Sequence, residues 1–379
     1  MAATIIGTFA AAAWLYLLVF RGRFWRVETN PSGTMQVAPR KIVAVIPARD
    51  EAPVIGRALA SLFAQDYVGS LHVVVVDDHS SDGTADIARA AAASTGCGQR
   101  LTVIAARPLP MGWTGKLWAM SEGVAAARAL DPDYLLLTDA DIVHGRQELA
   151  GLVARAESGY DLVSLMVRLN CRSLWERLLI PAFVFFFFKL YPPRWVADRT
   201  SRTAAAAGGC ILVRPAALDR IGGIDRIRSE IIDDCALARR IKHGGAVWLG
   251  ATAETQSIRE YTSWRPIWDL VARCAFAQLQ YSAVLLALMV IGMAALYLAP
   301  PLLLLSGNPA AMLLGAIAWL IMAAAFVPML RLYKCSVWFG LLLPVIAGFY
   351  TAATIASAVQ FWRGRGGSWK GRFQAAAAS

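Results

Sequence analysis

Apolar residues are distributed along this chain in two regimes. Residues 5–20 (IIGTFAAAAWLYLLVF), 283–305, 311–330 and 337–361 are almost free of charge, whereas residues 40–275 carry most of the Asp, Glu, Lys and Arg. A membrane crossing needs about 20 apolar residues, a length the last three runs reach and the first approaches. Within 40–275 the apolar runs shorten and alternate with helical periodicity. KIVAVIPARDEAPVIGRALASL reads as a strand, a Pro-containing loop and a helix whose apolar face is Ile55, Leu59 and Leu62. LHVVVVDDHSSDGTADIARAAAAS repeats the plan, with Asp82-Gly83 as the turn and a helix from Thr84. Further strands are expected at 101–105, 134–138 and 162–167, and helices at 117–129 and 145–159. Strands that alternate with helices predict an α/β domain with a mostly parallel sheet.

Residues 178–188 (LLIPAFVFFFF) form an apolar run of eleven between Arg177 and Lys189, too short to span. The segment 178–193 is expected to be an interfacial helix docking the domain onto a bilayer, with a buried core helix as the alternative. The N-terminal run has no charge before it, and Arg21, Arg23 and Arg26 after it, so it reads as a retained anchor rather than a cleaved signal. By the positive-inside rule those arginines, with Arg331 and Lys334, place the 40–275 domain in the cytoplasm. Four simple spans would then export a basic tail, 362–379, that carries Arg363, Arg365, Lys370 and Arg372. Either the segment around Pro344 is re-entrant or interfacial, the reading the charge bias favours, or the tail overrides the rule.

Three acidic pairs stand out in this basic chain: Asp77-Asp78, Asp139-Ala140-Asp141 and Asp233-Asp234. The first two follow apolar runs and so lie at the carboxyl ends of strands, the edge of an open α/β sheet where ligands bind. Carboxylates one residue apart can turn toward one hard cation, Mg²⁺ or Mn²⁺, which fills its other positions with water and phosphate oxygens. Gly208-Gly209 would let backbone approach a ligand closely or make a tight turn.

The ordered set VAVIPARDE, VVVVDDHSSDGT, GWTGK, LLTDAD, AAGGC and IIDDCALARRI resembles the family 2 glycosyltransferases of the GT-A fold. The resemblance covers residues 41 to about 245 and implies a metal-dependent transferase with a nucleotide-sugar site. Pro47, Glu51, Asp78, Lys116 and Asp139 match its nucleotide-sugar positions, Asp78 that of the uracil contact, and Asp139 and Asp141 match its metal motif. The pair Asp233-Asp234 matches an acidic pair opening a helix whose second member is the catalytic base, which is Asp234 here. The first member is usually Glu and is Asp233 in this chain. Gly208, Gly209, Asp233 and Arg273 are expected around the sugar or acceptor. The QxxRW-like signature of processive relatives is absent as such, since YTSWRPIWDLVARCAFAQL has Trp264, Trp268 and Arg273 at other spacing. The longer runs GWTGKLWAMSEG, TDADIVH, AAAAGGCILVRPAAL and IIDDCALARRIK are similar to the hopene-associated glycosyltransferases encoded with bacterial hopanoid synthesis. That likeness implies a UDP-sugar donor, a lipid acceptor and a multi-pass protein of the bacterial inner membrane.

The remaining features narrow the choice. The six cysteines show no metal-ligand spacing, and the four histidines none either. A net charge of +11 could serve nucleic acid, but no basic run is interleaved with stacking aromatics, so anionic headgroups are the expected partner and nucleic acid is not. A phosphate-binding P-loop fails at Pro110 and Leu117, and no GxGxxG follows the first strand.

Overall fold

The computed structural model describes residues 1–29 and 38–364, and the backbone of 368–369 and 372–373; most of the 28–40 linker and of the basic tail lies outside the described residues. In chain order the elements are α1 (Ala2–Phe20), β1 (Lys41–Ala48), α2 (Ala52–Phe63), β2 (Ser70–Asp77), α3 (Thr84–Ser94), β3 (Leu101–Ala105), α4 (Gly115–Arg128), β4 (Tyr134–Thr138), β5 (Ile142–Val143), α5 (Glu148–Glu157), β6 (Leu162–Arg168), α6 (Leu174–Leu190), α7 (Pro193–Ala197), β7 (Cys210–Val213), α8 (Pro215–Ile221), α9 (Asp233–Lys242) and β8 (Val247–Ser257). There follow α10 (Trp264–Gln278), α11 (Ala283–Met293), α12 (Ala299–Leu303), α13 (Pro309–Leu332) and α14 (Leu343–Trp362).

Eight strands form one sheet in the order β3-β2-β1-β4-β7-β6-β8-β5. The first four are parallel, which requires the helical crossovers that the alternating pattern predicts. β7 then joins antiparallel to both β4 and β6, and β6 pairs parallel with β8. Both faces are covered. Ile42, Ala44 and Ile46 pack with Ile55, Leu59, Val73 and Val75 on one face, while Val43, Val45, Val74 and Val76 meet Leu117, Met120 and Val124 on the other. Gly123 lets α4 press onto that second face: a Cβ there would meet Val45 Cγ1 and lie 2.8 Å from Val76 Cγ2.

Four helical segments are long and apolar enough to cross a membrane: Ala2–Phe20, Ala283–Leu303, Pro309–Leu332 and Val337–Trp362. They pack on the sheet domain through α6. Here the expectation of an interfacial 178–193 segment is corrected, because no residue from Leu178 to Lys189 is exposed and Leu179, Ile180, Val184, Phe185 and Phe188 are buried. α6 is a core helix. Phe185 touches Phe24 and Phe326, Phe186 touches Tyr297 and Tyr350, and the Tyr350 hydroxyl donates to Leu179 O at 2.8 Å. The fully buried Phe185 side chain contributes roughly 1.5–3 kcal/mol. One continuous apolar core thus runs from the sheet into the helical layer.

The ends of the apolar helices are placed by named contacts. Arg21, after α1, donates to the carbonyls of Lys189 and Leu190, and the Tyr333 hydroxyl, after α13, accepts from Leu169 N at 3.4 Å. These ends abut the sheet domain. Gly7 at the other end of α1 lies against Leu314 and Leu303. The last turn of α14 returns toward the domain: Phe361 stacks on Tyr281 at 4.4 Å and meets Phe276 of α10. Burial and the Glu230 carboxylate, from the loop before α9, raise the Tyr281 phenol.

Candidate active site

The site lies at the carboxyl ends of β1, β2 and β4. Two loops leaving β1 and β2 are stitched together. Asp50 N donates to Ser80 Oγ, Glu51 N to Thr84 Oγ1, Ala52 N to Asp82 Oδ2 and Ser81 N to Asp50 Oδ1, all within 2.8–2.9 Å. Asp82 also accepts from Thr84 N, which fixes the start of α3. Asp50 and His79 are held at φ 49° and 55°, conformations that cost a non-glycine residue roughly 1 kcal/mol or more and concentrate at functional sites. Asp78 is buried, and Arg49 Nη1 donates to its carbonyl at 2.7 Å and sits 3.6 Å from its carboxylate. Pro47 is placed otherwise: it lies inside β1 opposite Val76, a buried strand position two residues short of this loop.

Lys116 joins two of the acidic pairs. Thr114 caps α4 by accepting from Leu117 N, so Lys116 sits in the first turn with its ammonium 2.9 Å from Asp139 Oδ1 and 3.5 Å from Asp233 Oδ2. Burial raises the Asp139 carboxyl, and Lys116 opposes that rise, while the Lys116 ammonium is itself held far above its usual range by the acids around it despite burial.

Asp234, in the first turn of α9, accepts from Gly208 N at 2.8 Å and from Cys235 N at 2.7 Å. Burial first, then the Asp233 carboxylate, pushes its carboxyl up to about 6, against the pull of Lys116. A Cβ on Gly208 would stand 3.4 Å from Asp234 Oδ2 and 3.5 Å from Lys116 Nζ, so this residue lies between base and cation. Gly209 faces away; a Cβ there would come 3.0 Å from Val167, and its carbonyl accepts from Thr138 Oγ1. Neither glycine has a left-handed φ, and the pair occupies a tight turn closed by Cys210 N donating to Ala207 O at 3.3 Å. A small cavity beside them is lined by Met120, Leu137, Gly208, Asp233 and Asp234 among others.

Asp141 is buried, and its Oδ2 accepts from Ser257 Oγ at 2.7 Å and from Arg259 Nε at 3.2 Å. The same arginine's Nη2 donates to both oxygens of Glu51, at 2.7 and 2.9 Å. Arg273, on α10, makes no hydrogen bond or ion pair among the described residues, and its Nε is buried. Among the described residues no group of three or more His, Cys, Asp or Glu forms a metal cluster. Asp139 and Asp141 nevertheless fit a hard cation of the kind that binds through one or two carboxylates and completes its shell with substrate phosphates. Ser257 and Arg259 carried no signal in the sequence, because each meets its acid across the fold rather than within a motif, whereas Arg49 lies inside the VAVIPARDE run.

Residues 39–275, more than half of the chain, match the model of the glycosyltransferase-like family 2. The chain belongs to that family. Its fold is similar to that of the mannosyltransferase PcManGT of Pyrobaculum calidifontis, solved with GDP-Man and Mn²⁺, at 22% identity and a TM-score of 0.59, covering 96% of this chain and 99% of that one. Weaker likenesses are to S. aureus TarS with UDP-GlcNAc, at 14% identity and 0.41 over 86% and 92% of the two chains, and to the M. tuberculosis glucosyl-3-phosphoglycerate synthase with Mn²⁺ and UDP-Glc, at 17% and 0.38 over 65% and 86%. No curated protein matches the chain. This family 2 glycosyltransferase thus pairs a GT-A domain, α/β with a mostly parallel sheet, with helices apolar enough to span a membrane at both ends.

Proposed function

We propose that this protein is a membrane-bound inverting glycosyltransferase that moves a sugar from a nucleotide sugar, a UDP-sugar by its resemblance, to the hydroxyl of a lipid, a hopanoid by the same resemblance. The observation that carries the reading is Asp234, a carboxylate aimed by two backbone N–H groups and raised to about 6, close to the pKa a general base needs near neutral pH. In the proposed reaction Asp234 takes the acceptor's proton as its oxygen attacks the anomeric carbon, and a single displacement inverts that centre. Asp78 and Arg49 would hold the base, and Lys116 the diphosphate. A divalent cation on Asp139 and Asp141 would offset the charge of the leaving diphosphate.

The setting we propose is the cytoplasmic face of the bacterial inner membrane, with α1, α11–α12 and α13 crossing. The segment Val337–Trp362 would enter and return. Leu341 accepts from Trp319 Nε1 in mid-α13, and α14 then leads back to Tyr281 beside the sheet domain, which supports the re-entrant reading. The basic residues after it would then stay on the catalytic side.

A second reading, transfer to a polyprenyl phosphate, is favoured by the unpartnered Arg273 guanidinium, which suits an anionic acceptor. One experiment tests both. The purified protein in detergent is given a panel of UDP-sugars and GDP-mannose with Mn²⁺ and either a hopanoid alcohol or a polyprenyl phosphate, as wild type and as Asp234→Asn. Loss of about 10²–10⁴-fold in turnover with the hydroxyl acceptor supports the base assignment. Asp234→Asn turning over a phosphate acceptor at near wild-type rate selects the second reading, and no turnover of any donor rejects both.

A further inference from the structure

The carboxylate assigned above to a divalent cation already has a cation on it. Arg259 is held by three parts of the fold at once: it follows β8, its Nε contacts Asp141 after β4, and its Nη2 forks onto Glu51 after β1. Asp141 and Glu51 are 7% and 8% exposed, and buried carboxylates need a counter-charge. The mobility of the partners is unequal. Asp141 is pinned by Ser257 Oγ, whereas the Arg259 side chain is 38% exposed and has a path to solvent.

Two different nitrogens make the two contacts. The Nε bond to Asp141 can therefore break while the Nη2 bonds to Glu51 persist, which swings the guanidinium edge without releasing the residue. A divalent cation arriving at Asp141 meets a positive group about 3 Å from the oxygen it needs, and both cannot occupy that oxygen at full strength.

We infer that Arg259 is a resident counter-ion of Asp141 that a divalent cation must displace, and that the displaced edge, still anchored on Glu51, turns to the donor's diphosphate. Arg259 is thus a positioning residue that keeps the empty acid pair neutralised and makes metal entry depend on the donor. The inference rests on the proposed cation role of Asp139 and Asp141. It needs no further group, because guanidinium N–H groups and phosphate oxygens are complementary forks.

The test is Mn²⁺ binding to the full-length protein in detergent without nucleotide, read by the electron paramagnetic resonance signal of free Mn²⁺. Arg259→Gln is expected to bind Mn²⁺ about tenfold more tightly than wild type, through removal of a competing like charge. Arg259→Lys, which cannot span both acids, is expected to tighten binding about threefold and serves where the Gln variant does not fold. Adding UDP should tighten wild type more than either variant. Asp141→Asn, alone or in the Arg259→Gln background, should lose the site. Equal or weaker Mn²⁺ binding in both arginine variants, with Asp141→Asn still weakening it, overturns this inference and leaves the proposed function standing. Absence of Mn²⁺ binding in every form, with UDP present, overturns the cation assignment and this inference together.

Discussion

Replacing Lys116 with Met should move the acid limb of the pH–rate profile upward. Lys116 Nζ and Asp234 Oδ2 flank the same point above Gly208, at 3.5 and 3.4 Å, so they lie within about 7 Å of each other. Two unit charges at that distance interact by roughly 1–2.5 kcal/mol at an effective dielectric of about 20–40, equivalent to about one to two pH units. In the wild type that attraction is one of the causes opposing burial and Asp233, and the balance leaves Asp234 near 6. The sign follows directly. A base must be deprotonated to act, so wild-type kcat/KM should fall as pH drops through about 6, and without Lys116 the fall should begin roughly one to two units higher. Stability should change less than a buried pair would suggest, because Asp139 is 34% exposed on its side chain and solvent screens the lost contact. The assay is initial rate against pH from 5 to 9 at subsaturating acceptor and saturating donor, which separates the base from the weaker donor binding that loss of Lys116 also causes. A limb that stays near 6 in the Lys116→Met enzyme would refute the electrostatic coupling and confine Lys116 to the donor.

Two other outcomes are expected. Gly123→Ala should destabilise the domain by about 1–3 kcal/mol, read as a lower denaturation midpoint, because the added Cβ drives α4 off Val45 and Val76 of the sheet. A reporter fused after the C-terminus should lie on the same side of the membrane as one placed in the 30–37 linker; reporters on opposite sides would reject the re-entrant path of Val337–Trp362.

Much of the sheet was legible because its signals are local. Val73–Val76 and Leu135–Leu137 are buried on both faces, so they appear as unbroken apolar runs, and the acids that follow them must fall at strand ends. The helix opened by Asp233 was legible through the resemblance, whose acidic pair opens a helix. α6 was not. Its length and its flanking Arg177 and Lys189 look like those of an interfacial helix, and only the tertiary packing of Phe185 and Phe186 against α13, α14 and Tyr297 decides between a bilayer and a protein neighbour. Arg259 escaped because its partners Glu51 and Asp141 are 208 and 118 residues away, and nothing in its own neighbourhood marks it.

Charge counting gives the site a further constraint. Glu51, Asp139, Asp141, Asp233 and Asp234 converge on two cations, Lys116 and Arg259, while Asp78 is matched separately by Arg49. With all five acids ionised the cluster carries three uncompensated negative charges. A nucleotide diphosphate entering it adds more of the same sign, in a partly desolvated setting where repulsion is only weakly screened. Protonating Asp234 would relieve one charge and remove the proposed base, so that route is closed to a working enzyme. What remains is a cation brought with the donor. The proposed reaction therefore needs a divalent cation for binding as well as for departure of the diphosphate, and the protein's own arginine at Asp141 keeps that need from becoming a standing instability when no donor is present.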